Sequence, residues 1–286
     1  MENAAEGLIE RAARDLVEST YAISLTGAGV STESGIPDFR GPSGVWTKNP
    51  DAERRAYHSY EQFIEDPRGW WEERLSAPIG LMGDLEKATP NPSHHALAEL
   101  EKMGILKWLI TQNIDALHEK AGTRNLLEYH GSRLKLRCMS CGERFRRDEF
   151  DLEKLRAENQ LPPLCPKCGG IIKTDTVAFG EPIPSDVAHR SLEEAWRCDV
   201  MLICGTSAVV YPFASLPRVA RQRRIDREQQ TESGLHSVRK AAAVTIIEIN
   251  ADPTPLTHEG VSDYLIQGKT GEVLPRLLEL IKKAGE

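Results

Sequence analysis

The chain has 286 residues, 40% apolar and 28% charged, with a formal net charge of −7. That is enough chain for one large domain and a smaller one, with the apolar and charged content of an ordinary soluble protein. The negative balance gives no bulk attraction to nucleic acid or anionic membrane. The opening MENAAEGLIERAARDLVEST has neither the basic start nor the apolar core of a secretory leader, and no stretch approaches the roughly 18 apolar residues of a span, so a cytoplasmic protein is expected.

In chain order, Leu8, Ile9, Ala12, Ala13, Leu16 and Val17 recur at helical spacing and predict a helix over 4–19. The apolar run Tyr21–Leu25 predicts a buried strand ending near Gly27. Residues 43–89, with Trp46, Trp70, Trp71 and several prolines, read as a helical or irregular insertion between core strands. The pattern then alternates: helix 93–103, strand 105–110, the loop Thr111–Asp115, a short helix 116–120 and a strand 126–130. Residues 135–175 carry four cysteines and little hydrophobic periodicity. Beyond them the expectation is helix 186–196, strand 200–204, helix 211–224, strand 243–249, short strand 264–266 and a final helix 271–283. Strands alternating with helices predict an α/β fold, a mostly parallel sheet with helices on both faces.

Two C-x-x-C pairs, Cys138/Cys141 and Cys165/Cys168, are separated by residues 142–164. Each spacing lets one turn present two thiolates to one ion, and four soft thiolates in a tetrahedron suit Zn²⁺. Four protein ligands leave no open position, so the zinc is read as structural. The remaining Cys198 and Cys204 read as small core residues. This cysteine usage fits a reducing compartment.

Polar clusters follow the predicted strands. Gly27-Ala28-Gly29-Val30-Ser31 follows the first, and its glycines allow a tight turn and close approach to a phosphate. Thr32 stands where a dinucleotide fingerprint has its third glycine, and no acidic residue closes a second strand about 20 residues on, which disfavours a plain dehydrogenase. Next comes Ser34-Gly35-Ile36-Pro37-Asp38-Phe39-Arg40-Gly41, a Gly- and Pro-rich loop suited to covering a ligand. Thr111-Gln112-Asn113-Ile114-Asp115, His130-Gly131, Gly205-Thr206-Ser207 and Asn250 each sit at a later strand end. Singly, such residues cap turns and start helices. Together they converge on one sheet edge, where α/β sheets bind ligands.

These stretches resemble the sirtuin family, of the prokaryotic type: GAGVSTESGIPDFRG at 27–41, TQNID at 111–115, YHG at 129–131, the cysteine pairs, FGE at 179–181, GTSAVVYP at 205–212 and IN at 249–250, in the family's order. The resemblance implies a Rossmann-like NAD-binding domain from 1–42, 90–134 and 176–286, and a small domain formed by two insertions, helical at 43–89 and a zinc ribbon at 135–175. It implies one structural Zn²⁺ and NAD as a consumed co-substrate. By position, Gly27, Ala28 and Gly29 approach the NAD phosphates, and Asp38, Phe39 and Arg40 lie on the loop closing over it. Ile36, Asn113 and Asp115 line the nicotinamide pocket, and Gln112 contacts the adjoining ribose. Gly205, Thr206, Ser207 and Asn250 hold phosphate and the adenosine ribose. Val177, Phe179, Gly180, Glu181 and Val210 meet an acyl-lysine protein or peptide.

The implied reaction is lysine deacylation. Nicotinamide leaves NAD, the acyl oxygen attacks the anomeric carbon, and His130 acts as general base for a ribose hydroxyl, with Asn113 and Asp115 at the leaving group. The products are free lysine, nicotinamide and O-acyl-ADP-ribose. Mono-ADP-ribosyl transfer or NAD hydrolysis would use the same site, and an NAD-sensing scaffold would lack turnover. Thr174 and Ala178 depart from the family's usual proline and aromatic residue; strand alternation would place Val177 and Phe179 on one face. The Tyr-x-x-Arg pair of members preferring acidic acyl groups is absent from Asp66–Leu75, so neutral acyl groups, acetyl first, are expected. The polar stretch 221–240 is longer than usual and reads as a solvated surface loop.

Overall fold

The computed structural model describes residues 2–41, 44–76, 87–222 and 244–284. The chain opens with helix α1 (Glu2–Glu18), whose Ile9, Ala12, Ala13 and Leu16 are buried at helical spacing, and strand β1 (Ala22–Thr26), buried throughout. Helices α2 (Val45–Lys48), α3 (Pro50–Glu65) and α4 (Pro67–Ser76) occupy the expected insertion. Prolines at the first turns of α3 and α4 suit positions where a backbone N–H has no helical partner, and Asn49 caps α3 by accepting from Ala52 N–H. Helix α5 (Pro92–Lys102), strand β2 (Leu106–Thr111), helix α6 (Leu117–Lys120) and strand β3 (Leu126–Glu128) follow. The third strand is shorter than expected, so His130 lies in the loop beyond it.

The cysteine region holds β4 (Lys135–Cys138), β5 (Arg144–Arg146), α7 (Leu152–Ala157) and β6 (Ile172–Thr174), with β4 antiparallel to both of its neighbours. The chain continues through α8 (Ser185–Arg197), β7 (Val200–Cys204), α9 (216–222), β8 (Thr245–Asn250), α10 (Pro255–His258), β9 (Tyr264–Gln267) and α11 (Thr270–Ala284).

Six strands form one parallel sheet in the order β3-β2-β1-β7-β8-β9. One face packs against α1, α5 and α11 through Leu16, Leu97, Leu100, Leu274 and Leu277. The other packs against α8, α9 and α10 through Val187, Ala195, Leu216, Ala220 and Leu256. A separate core joins the two insertions: Phe63, Trp70 and Trp71 from the helices meet Leu136, Phe145, Leu152 and Ile172 from the cysteine region. The indole N–H of Trp71 donates to Ile172 O at 3.0 Å, tying α4 to β6. Among the described residues, no helix is long and apolar enough to cross a membrane.

Two local expectations differ from the structure. The α-helix expected from Tyr211 begins only at 216, after a 3₁₀ turn at Phe213–Ser215; Pro212 brings no N–H, and Phe213 is buried. Residues 177–179 belong to no ladder, so strand alternation does not govern them: Val177 N–H donates to His130 O at 2.8 Å, and Ala178 N–H to the Glu181 carboxylate at 2.9 Å. Beyond Gln222, the polar stretch 221–240 lies outside the described residues.

Candidate active site and metal centre

The chain leaves β1 toward β2 and β3 on one side, and β7, β8 and β9 lie on the other. The connections onward from β1 to β2 and from β7 to β8 therefore run to opposite sides, opening a crevice at the carboxyl edge of the sheet. Gly27 N–H donates to Cys204 O at 3.1 Å and Gly29 N–H to Gly205 O at 2.8 Å. A Cβ on Gly27 would lie 2.6 Å from Thr206 Cβ, and one on Gly29 would lie 2.7 Å from Gly205 Cα. These glycines thus let two loops interlock as well as leaving backbone open to a ligand. Ala28 and Gly29 remain partly exposed at the turn.

The loop after β2 packs against this turn. Asn113 Nδ2 donates to Gly27 O at 3.0 Å and to Ser31 Oγ at 3.2 Å, and Ser31 Oγ donates to Asp115 Oδ2 at 2.7 Å. Asp115 is buried, and burial pushes its carboxyl up from the ordinary carboxylate range, against the Leu117 N–H and the Ser31 hydroxyl that hold it down. Ile36 is buried against Leu117. Behind Ser31 lie two buried histidines, His94 and His118, with ring centroids 4.8 Å apart. Ser31, His94 and His118 escaped the sequence reading. Ser31 lay within a glycine motif already explained by its glycines, and the two histidines look like ordinary helix residues until β1, α5 and α6 come together.

His130 is half-buried beside Tyr129 and Phe213, with ring centroids at 5.5 and 6.2 Å. Its Nδ1 lies 3.1 Å from Gln112 O. A carbonyl only accepts, so Nδ1 carries the proton and Nε2 keeps its lone pair. Burial lowers the imidazole from its ordinary value, partly offset by this hydrogen bond. The geometry therefore holds a neutral base in one tautomer.

Gln112 is anchored at its other end, since Nε2 donates to Thr206 Oγ1 at 2.7 Å. Thr206 is buried and also accepts from Ala208 N–H, so its hydroxyl braces the crevice, whereas Ser207 is exposed. Asn250 is partly exposed and donates to Asp252 O.

Aromatic rings line the other side. Phe39 and Trp46 lie 4.8 Å apart, Trp46 and Phe179 5.7 Å, and Phe179 stacks on Tyr57 at 4.2 Å. Arg40 lies over Trp46 at 4.4 Å. Asp38 O accepts from Val45 N–H, which fastens the loop to α2. Trp46 and Tyr57 were not among the sequence-predicted site residues; only the packing of the helical insertion onto residues 177–181 reveals them. Val177 and Val210 are partly exposed and Gly180 is exposed, but Glu181 is buried, with Arg137 at 2.6 Å and Lys173 at 3.0 Å.

The sulfurs of Cys138, Cys141, Cys165 and Cys168 all lie within 4.8 Å of one another, with Cys138–Cys168 at 3.5 Å and Cys141–Cys165 at 3.8 Å. Zinc–sulfur bonds of about 2.3 Å in a tetrahedron set a sulfur–sulfur edge of about 3.8 Å. The four thiols fit one Zn²⁺. Cys198 and Cys204 are buried elsewhere, as core residues.

Residues 27–212 match the model of the Sir2 family. The chain belongs to the Sir2 family. It is 40% identical over 277 residues to NAD-dependent protein deacylase 1 of Archaeoglobus fulgidus, covering 96% of this chain and 98% of that one. It is 36% identical over 277 residues to an NAD-dependent protein deacetylase of Saccharolobus solfataricus, covering 96% and 98%. Among solved structures, a Sir2 homologue–NAD complex superposes with a TM-score of 0.70 at 39% identity, covering 97% of this chain and 95% of the other. Sir2Af2 bound to a myristoylated histone peptide gives 0.65 at 36% identity, covering 98% of each chain. This Sir2-family chain thus joins a Rossmann-like sheet to a small unit with a four-cysteine zinc site.

Proposed function

We propose that the protein is an NAD-dependent protein-lysine deacylase, consuming one NAD per acyl group removed and carrying one structural Zn²⁺. The carrying observation is His130, a neutral base with a free Nε2 set beside the Gln112–Asp115 loop at the crevice of a Sir2-family sheet. In this reading residues 1–42, 90–134 and 176–286 form the NAD-binding domain, the insertions at 43–89 and 135–175 form the second unit, and the acyl-lysine strand enters between the two.

Residues at the crevice suit NAD: the glycine turn leaves Ala28 and Gly29 partly exposed, and Ser207 and Asn250 offer polar groups at the same edge. NAD supplies a glycosidic bond that breaks to release nicotinamide and leaves a ribose carbon able to accept the acyl oxygen. Gly27, Ala28 and Gly29 face the phosphates; Asp38, Phe39 and Arg40 form the covering loop. Ile36, Asn113 and Asp115 line the nicotinamide end, with Asn113 and Asp115 held rigid by Ser31. Gln112 approaches the ribose while its main-chain oxygen orients His130, whose Nε2 accepts a proton from a ribose hydroxyl in the second step. Gly205, Thr206, Ser207 and Asn250 serve the adenosine end. Val177, Phe179, Gly180, Glu181 and Val210 form the acyl-peptide wall, Glu181 from within.

Neutral acyl groups, acetyl first, are preferred over acidic ones. The segment Asp66–Leu75 lacks the Tyr-x-x-Arg pair that would match an acyl carboxylate, and burying that carboxylate unpaired is costly. The experiment is a panel of acetyl-, longer-acyl- and succinyl-lysine peptides with NAD, with products resolved by mass. Acyl-ADP-ribose and free lysine, formed fastest from acetyl peptide, are expected. ADP-ribosylated peptide as the main product would replace this reading with transfer, and faster succinyl turnover would overturn the selectivity. A cytoplasmic location is expected of the enzyme and is checked by cell fractionation.

A further inference from the structure

Among the described residues, a buried ionic cluster lies outside the crevice, and its cations take no part in the chemistry above. It spans the junction between the three-stranded sheet and residues 175–181. Arg137 on β4 reaches Glu181 at 2.6 Å and Asp175 at 3.2 Å. Lys173 on β6 reaches Glu181 at 3.0 Å and donates to Thr174 O at 3.0 Å and Thr176 O at 2.6 Å. Arg144 on β5 pairs with Asp175 at 3.4 Å and with Asp186 at the start of α8 at 2.8 Å. The Lys173 and Glu181 side chains are 2% and 1% exposed.

Buried ion pairs contribute little net stability, because desolvation offsets their attraction, and apolar replacements are often neutral. What this cluster supplies that an apolar plug would not is direction. Glu181 accepts from Ala178 N–H at 2.9 Å, and its own N–H donates to Ala178 O at 3.1 Å, closing residues 178–181 into a turn. Lys173 and Arg137 fasten the carboxylate of that turn to the small sheet. One end of the same segment bonds His130 O through Val177 N–H, and Phe179 projects from it onto Tyr57. Lys173 also lies 5.7 Å from the Trp70 ring of α4.

We propose that Lys173, acting through Glu181, is a positioning residue for acyl-peptide recognition. It sets the turn bearing Phe179 at a fixed place relative to His130, without touching substrate itself. The inference rests on residues 177–181 being the peptide-facing wall. It predicts an effect on the peptide and not on NAD, whose proposed contacts lie along the loops after β1, β2, β7 and β8.

The test is steady-state deacetylation of an acetyl-lysine peptide by the full zinc-bound chain. Lys173→Met should raise the peptide KM about tenfold, with the NAD KM changed by less than about twofold and the zinc content unchanged. Lys173→Arg, which keeps a cation in reach of Glu181, should restore most of the loss. Glu181→Gln keeps the side-chain shape and should reproduce the defect, and the double variant should be no worse than either single, because both remove one coupling. Equal changes in both KM values, no change in either, or no rescue by Lys173→Arg would overturn the proposal. If Lys173→Met fails to fold or loses zinc, Glu181→Gln decides the question on the same readouts. Phe179→Ala separates the two levels. If it leaves the peptide KM unchanged, the reading of the wall falls and the proposal with it. If it raises the peptide KM while Lys173→Met does not, only the role of Lys173 is rejected.

Discussion

The Nδ1–H of His130 donates to the main-chain oxygen of Gln112 across 3.1 Å, so the residue proposed as base is oriented by the loop proposed to line the ribose. His130→Ala should separate the two chemical steps. Deacetylation should fall by roughly 10²–10⁴-fold, the usual loss for a general base, while nicotinamide exchange should fall less and NAD should still bind. Asp115→Ala, at the proposed leaving-group end, should impair both. Labelled nicotinamide and peptide product report the two rates, and equal loss of both in His130→Ala with NAD affinity intact would falsify the second-step role. Because burial lowers the His130 imidazole below its ordinary value, it stays unprotonated further into acid. The acid limb of kcat/KM should therefore lie below the ordinary imidazole range.

The four-cysteine site should hold one Zn²⁺ per chain, measured by metal analysis of the purified protein. Cys138→Ser, Cys141→Ser, Cys165→Ser or Cys168→Ser, or a strong chelator, should release it and loosen the β5-β4-β6 sheet, since metal binding is coupled to folding of such modules. Arg137 and Lys173 stand on that sheet, so peptide turnover should fall with the metal although the zinc touches no reacting atom. Full activity at zero zinc would refute this.

Burial holds His94 down at about 4 from its ordinary 6.5 and His118 well below the same value, each with a histidine neighbour adding to the effect. The unfolded chain takes up these protons as pH falls through about 6.5, and the folded chain takes up that of His94 only near 4. Between those values the unfolded state binds more protons, so the stability is full above about 6.5 and drains away as pH falls. From pH 7.5 to 5.5 His94 should account for a loss of about 1 kcal/mol. Urea midpoints at the two pH values, compared with those of His94→Gln, provide the check. The variant should show the smaller drop, and an identical drop would exclude His94 as a source.

Gly205 and Gly104 both have positive φ, +59° and +76°, but only at Gly205 would a Cβ meet backbone, 2.5 Å from Val30 N. Gly104→Ala should cost about 1 kcal/mol from backbone conformation alone. Gly205→Ala should cost about 1–3 kcal/mol more as the β1 and β7 loops are forced apart, and it should weaken NAD binding. Thermal unfolding and NAD titration measure both, and equal effects at the two sites would contradict the interlocked-loop geometry.

Much of this protein was legible in local pattern. The apolar runs at β1, β2, β7 and β8 appear within a residue or two of their observed ends, because a buried parallel strand needs continuous apolar sequence whatever its partners. The C-x-x-C pairs announced a metal site because the spacing within each pair is a property of one turn. Residues 177–179 misled, since hydrogen bonds to His130 and Glu181 replace a ladder there.

The sequence by itself determined the order of the six main-sheet strands along the chain, the four metal ligands and the polar strand ends, since each depends on residues a few positions apart. Only the tertiary structure decided that Gly29 and Gly205 interlock, that Gln112 fixes the His130 tautomer, that Tyr57 covers Phe179, and that Lys173 and Arg137 hold Glu181. Each of these joins separate elements of the chain, and burial is what gives it weight. In a low-dielectric interior a polar group must find a partner, and which partner it finds depends on how the elements pack.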